Sequence, residues 1–249
     1  GSMGMQAVGS EKVWAETVFS KKGVVASRSS LASAVGAKIM EQGGNAIDAA
    51  VASGFALAVT YPSAGNLGGG GFMLNYDFQS GDLTFIDGRE IAPSKATVDM
   101  FMKDGNVMSF REAWVSGKAV GSPGAVALYK TAHERSGKIP WDELFLYAID
   151  LAENGFKVSA RLAGFVKAVQ SYGRLSINEG SKDYFYPNGI PIKEGHILKN
   201  QQYANTLKKI SNEGIKGFYE GPIAESIVES ATKEPNPCLL YTSPSPRDS

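Results

Sequence analysis

Cysteine is all but missing from this sequence: Cys238 is the only one in 249 residues, which excludes an intrachain disulfide and a cysteine-based metal site. A fold that needs no thiol chemistry tolerates either an oxidising or a reducing compartment. Histidine is nearly as scarce. His133 and His196 lie far apart, with neither His-x-x-x-His nor Glu-x-x-His spacing, so they read as surface or satisfied core residues and no metal is implied. Net charge is absent as well, since 25 Lys+Arg balance 25 Asp+Glu. No strong field steers the chain toward nucleic acid or an anionic membrane. The longest uncharged apolar stretch, Ala49 to Tyr61, has 13 residues, fewer than the roughly 20 that a spanning helix needs. It reads as a buried core helix, and no transmembrane segment is expected. A Gly-x-Ser-x-Gly nucleophile elbow is also lacking.

Glycine, by contrast, is abundant at 29 residues. The run Asn66-Leu67-Gly68-Gly69-Gly70-Gly71-Phe72-Met73 places four of them in a row, ahead of a hairpin pattern ending in Ile86-Asp87-Gly88-Arg89-Glu90. Residues without a β-carbon let another backbone or a ligand come very close, and they weaken an ordinary element interior. No Lys-Ser/Thr follows the run, which makes it a poor phosphate loop or dinucleotide fingerprint. Close backbone packing is the first expectation for it, and a substrate wall the second. Arg89 offers a planar fork of donors suited to a carboxylate. In an extended chain Asp87 would share its side and Glu90 would face away, making Asp87 the candidate to orient the guanidinium. From residue type alone, a surface pair worth about 0–1 kcal/mol is the competing reading.

Hydrophobic residues at 43% and charged residues at 20% are ordinary globular usage, and the length suits one continuous domain. Val24 to Ser27 reads as a short strand, leading to Ser29 or Ser30 as the cap of a helix to about Gln42. Gly43 and Gly44 stop it. Asn45 and Asp48 have the spacing of a capping box for a second helix, Ala46 to about Thr60, closed by Pro62. Phe72 to Tyr76 and Leu83 to Ile86 form the hairpin around Gln79 to Asp82. Ser122-Pro123 resembles a cap and first-turn proline for a helix to Ser136, and Pro140 opens another to about Asn154. Ser159 caps a third through Tyr172, residues 176–198 are mostly loop with one strand, and helices cover Gln201 to Glu213 and Pro222 to about Lys233.

The two ends differ in character. Gly1-Ser2-Met3 looks like the scar of an expression tag, with no charged-then-apolar signal segment after it. From Pro235 onward four of 15 residues are proline and no apolar periodicity survives, so this tail reads as foreign to the fold, resembling translated sequencing adapter. The expected division is therefore 1–22 as tag scar and extension, 23–234 as the folded unit and 235–249 as the tail. Ser230 and Lys233 have Ser-x-x-Lys spacing but lack its companion motifs. Trp14, Trp114 and Trp141 read as core or rim aromatics.

Five stretches, in order, resemble the γ-glutamyltransferase (glutathione hydrolase) family: residues 42–50 (Gln-Gly-Gly-Asn-Ala-Ile-Asp-Ala-Ala), 64–73 with the glycine run, 87–93 (Asp-Gly-Arg-Glu-Ile-Ala-Pro), Gly121-Ser122-Pro123-Gly124, and Gly217-Phe218-Tyr219-Glu220-Gly221. The resemblance implies an α/β fragment of a four-layer αββα N-terminal nucleophile (Ntn) hydrolase, the large-subunit portion of a precursor that cuts itself in two. It implies that the nucleophile is the threonine exposed at the start of the small subunit, beyond this chain, which alone would be inactive. It places Arg89 on the α-carboxylate of the γ-glutamyl substrate. The partners it implies are glutathione and other γ-glutamyl compounds, amino-acid or peptide acceptors, and the small subunit; no cofactor is called for. The reaction is acyl transfer through an acyl-enzyme to water or an amino acid, in a periplasmic or secreted setting. Two alternatives stand beside it: a family-related acylase of the glutaryl or cephalosporin type, and a non-catalytic carboxylate-binding module.

Overall fold

The computed structural model describes residues 19–64 and 66–233. The tag scar, Trp14, Gly65 and the proline-rich tail with Cys238 lie outside the described residues. Helix α1 (Ser30–Glu41) starts at Ser29, whose hydroxyl accepts the Ala32 N–H. Helix α2 (Ala46–Thr60) opens on the capping box: Asn45 accepts from Ile47 and Asp48 N–H, and Asp48 accepts from Asn45 N–H. The pair approaches closely because Gly36 faces Ser53, whose hydroxyl donates to the Ala32 carbonyl. Gly54 performs the same service elsewhere on α2, leaving room for the Tyr129 ring. The apolar stretch from Ala49 is indeed a core helix, buried along almost its whole length, and no described helix is long and apolar enough to cross a membrane.

Strands β1 (Gly71–Tyr76) and β2 (Leu83–Gly88) pair antiparallel with Phe72 opposite Asp87 and Leu74 opposite Phe85. Asp77 closes their turn by accepting the Gln79 and Ser80 N–H groups, and Gly81 supplies the positive φ of 80°. Next come the small ribbon β3 (Met102–Lys103) and β4 (Asn106–Val107), then helices α3 (Phe110–Trp114), α4 (Ala125–Ser136) and α5 (Leu146–Glu153). Strand β5 (Phe156–Lys157) pairs with β6 (Ile197–Leu198), across the excursion α6 (Ala160–Gln170) and α7 (Glu179–Phe185). Helices α8 (Gln201–Glu213), α9 (Lys216–Tyr219) and α10 (Gly221–Ala231) complete the described chain.

One core joins these elements around Phe55 of α2, which stacks on Phe145 at 4.0 Å and meets Tyr129 and Trp141 edge-on. Aromatic pairs of this geometry add about 0.5–1.5 kcal/mol each beyond their area burial. Helix α8 closes the core with Ala204, Leu207 and Ile210, and the Trp141 indole N–H donates to the Ile210 carbonyl. Helix α4 lies between α2 and the inner face of the β1–β2 hairpin.

Four expectations need correction. Val24 to Ser27 forms no strand among the described residues; β-structure needs a ladder partner, and this segment packs by its side chains, Val25 filling the space over Gly36. Ser122 does not cap α4, because its backbone is bridged to Ile91 and the helix starts after Gly124. The segment after Pro140 is a 3-10 turn over Asp142–Phe145 before α5. Within the expected loop 176–198 lies α7, capped by Asn178.

Candidate active site

The glycines of three separate stretches meet at the start of α4. A β-carbon on Gly70 would overlap the Gly88 carbonyl oxygen and come within 2.8 Å of the Glu90 nitrogen, while one on Gly124 would overlap Gly88 from the other side. At Gly88 it would reach Leu128 Cβ at 2.6 Å. Only hydrogen fits between these backbones. Their approach lets the Gly69 carbonyl accept both the Gly124 and Ala125 N–H groups at 3.0 Å, satisfying donors that the first turn of α4 would otherwise leave orphaned. The run's first expectation, close backbone packing, is what the structure contains.

The other two stretches grip the same helix. Tyr219 donates its hydroxyl hydrogen to the Pro123 carbonyl at 2.9 Å and accepts the Ala127 N–H at 3.2 Å. At the far end of α4 the buried Asp48 carboxylate accepts the Lys138 N–H through both oxygens, at 3.0 and 3.1 Å, and Asn45 donates to the Ser136 carbonyl. Helix α4 is thus the common strut of all five stretches.

Arg89 projects from this node, directly after β2. Its Nε lies 3.1 Å from Glu90 Oε2, with the arginine side chain 66% exposed and the glutamate 34%. Glu90 is itself fixed: its carboxylate lies over Gly69 and Gly70, and its Cβ fits against Gly121. Two-thirds of the arginine side chain remains in contact with solvent beyond this Nε pairing. The expectation that Asp87 orients the guanidinium and Glu90 faces away assumed strand alternation past Gly88. The strand ends at that residue: Glu90 turns to the Arg89 guanidinium rather than away from it, and Asp87 Oδ1 accepts the Arg89 backbone N–H at 2.9 Å, holding the turn. Glu90 is the residue that sequence reasoning missed; the clue was a glycine run beside it with space for a carboxylate.

The remaining motifs stay apart from this place. His133 Nε2 pairs with the Ile139 carbonyl at 2.7 Å beside Trp141. Lys233 pairs with Glu229 at 2.9 Å, which gives it a partner other than Ser230. Among the described residues no group of three or more metal-ligating side chains comes together.

The fold is that of the Ntn hydrolases, shared with solved γ-glutamyltranspeptidases and acylases. The γ-glutamyltranspeptidase of Helicobacter pylori superposes with a TM-score of 0.81 at 41% identity, over 86% of this chain and 61% of that one. Cephalosporin acylase of Bacillus halodurans does so at 0.76 and 28%, over 86% of this chain and 40% of that one. The family model for gamma-glutamyltranspeptidase matches residues 32–236, and the glutathione hydrolase proenzyme of Escherichia coli is 44% identical over 218 residues. This chain therefore belongs to the γ-glutamyltranspeptidase family. The match to the Escherichia coli protein covers 87% of the chain but 37% of the relative, so the chain spans about a third of that protein's length.

Proposed function

We propose that this chain is the large-subunit, substrate-binding part of an enzyme that hydrolyses glutathione and transfers its γ-glutamyl group. The observation that carries the reading is Arg89, held by Glu90 through Nε with its side chain 66% exposed, in a chain of this family. The planar fork of an exposed guanidinium matches the two oxygens of an α-carboxylate, and its charge offsets the desolvation of that group. With the carboxylate fixed, the γ-amide is set at a constant distance from Arg89, which lowers the entropic part of the barrier.

The nucleophile in this proposal is the threonine that self-cleavage exposes on the small subunit, in the part of the relatives that this chain does not span. Its hydroxyl oxygen bonds to the γ-carbonyl carbon while its proton passes to the threonine's own α-amine, and then to the departing amine nitrogen as the amide C–N bond breaks. Water or an amino-acid amine next attacks the ester and restores the hydroxyl. The proenzyme names of the relatives support the processing step, and a periplasmic or secreted location completes the proposal.

On the complete precursor, Arg89→Ala should lower kcat/KM for a γ-glutamyl anilide by about a hundredfold or more, with Arg89→Lys between it and the parent because charge survives but the fork does not. Undiminished turnover in both variants sinks the assignment of Arg89. The likeness to cephalosporin acylase supports a second reading, amide cleavage without an α-carboxylate. Hydrolysis of a glutaryl amide but not of the γ-glutamyl anilide would establish it instead.

A further inference from the structure

A cleft of about 640 Å3 opens where the first turns of α1 and α6 face a common space, a size within the range of small-molecule sites. Its floor is apolar, built from Leu31, Leu151, Phe156 and Ile197, and its rim carries Arg28, Lys157 and Arg161. No aspartate or glutamate lines it. Nor does any of the three cations join an ion pair among the described residues. Exposed arginines and lysines ordinarily find a carboxylate or spread apart. Three that converge unpaired on one concavity raise the local concentration of anions.

The backbone adds to the same field. Ser29 and Ser159, both in the lining, cap α1 and α6 by accepting one N–H each, from Ala32 and Leu162, so the positive ends of both helix dipoles lie at the cleft. Gly155, at φ +88°, turns the chain into β5, and the pairing of Lys157 with Ile197 fixes the lysine on the rim. Tyr61 completes the wall: Ser63 first, then Arg161 and Arg28, hold its pKa below the usual phenol value.

We propose that this cleft binds a small organic dianion, a phosphate monoester or a dicarboxylate, with Arg28, Lys157 and Arg161 on the charged groups and the Leu31–Phe156 floor under the carbon stem. None of these residues belongs to the Arg89 node, so the proposal stands or falls separately from the γ-glutamyl reading.

The test is calorimetric titration of the chain at constant ionic strength with glycerol phosphate, glutarate and inorganic phosphate in separate runs. Saturable binding at one site is expected, and whichever organic anion binds more tightly identifies the class. The Arg28→Gln/Arg161→Gln pair should weaken that binding about tenfold or more, as expected for losing charge-assisted bonds, while Arg89→Gln leaves it unchanged. Tyr61 should ionise at higher pH when the anion is bound, because the anion offsets the cations beside the phenol. Lys157→Gln, at an exposed strand position, gives the same readout should the double variant lose its fold. Absence of saturable binding for all three anions, or equal affinity in parent and variants, overturns the proposal.

Discussion

The two faces of the β1–β2 hairpin could hardly differ more. Toward α4, Met73 and Ile86 pack on the core and Gly88 is wedged between backbones. On the opposite face Phe72, Leu74, Tyr76, Leu83 and Phe85 are each 58–67% exposed, with Phe72 stacked on Phe85 at 5.8 Å. A hairpin designed to meet water alternates apolar with polar; one apolar on both faces is built to lie between two layers. Contiguous exposed apolar surface of this kind marks an interaction face. The inner face therefore carries the stability of the chain, and the outer face carries affinity for whatever covers it.

That contrast can be broken from either side. The largest effect should come from the inner node: Gly70→Ala or Gly124→Ala forces the α4 junction apart and should cost about 3 kcal/mol or more, or prevent folding, read by urea unfolding. Asp48→Ala follows. It strips acceptors from the part-buried Asn45 and Lys138 N–H groups and should cost about 2 kcal/mol, with Asp48→Asn intermediate. Next is alkaline pH. Burial pushes the Tyr184 hydroxyl up to about 12, against a slight opposing effect of Asn200, and burial raises Tyr203 further. A phenol whose folded pKa lies above its ordinary 10.0 contributes stability that is complete below pH 10 and declines as pH rises toward the folded value. Unfolding should thus set in between about pH 10 and 12, followed by tyrosinate absorbance, and Tyr184→Phe should reduce that slope. The smallest effect on stability belongs to the outer face: Phe72→Ser with Phe85→Ser should change it by about 0.5 kcal/mol or less while lowering self-association in sedimentation velocity. A loss comparable to that of the glycine variants would show that the outer face is part of the core.

What the sequence made legible was local. The Ser29 and Asn45 caps, the hairpin, and Gln201–Glu213 follow from hydrogen-bonding side chains, glycines and apolar periodicity within a few residues of each other. Misjudged elements were decided at a distance. Ser122 has the right chemistry for a cap, yet its backbone is engaged by Ile91 from 31 positions away, and α4 starts where Gly124 meets Gly88. The short α7 has too few apolar positions for a period to emerge from its surroundings. At the candidate site Arg89 could be singled out by residue type and resemblance. Its geometry could not, because the partner is set by where β2 ends and by the space over Gly69 and Gly70. Alternation, the rule that pointed to Asp87, holds only inside a strand.

Tyr219 gives the site a history as well as a shape. Its hydroxyl ties Pro123 and Ala127 to a residue more than 90 positions later in the chain, so the start of α4 is complete only once α8 and α9 have arrived. During synthesis the glycine node and Arg89 leave the ribosome long before the residue that locks them. Until then the Ala127 amide has no phenol oxygen to bond. Solvent exchange at that one amide consequently times the assembly of the glycine node that carries Arg89, separating a chain whose helices have formed from one whose node has closed.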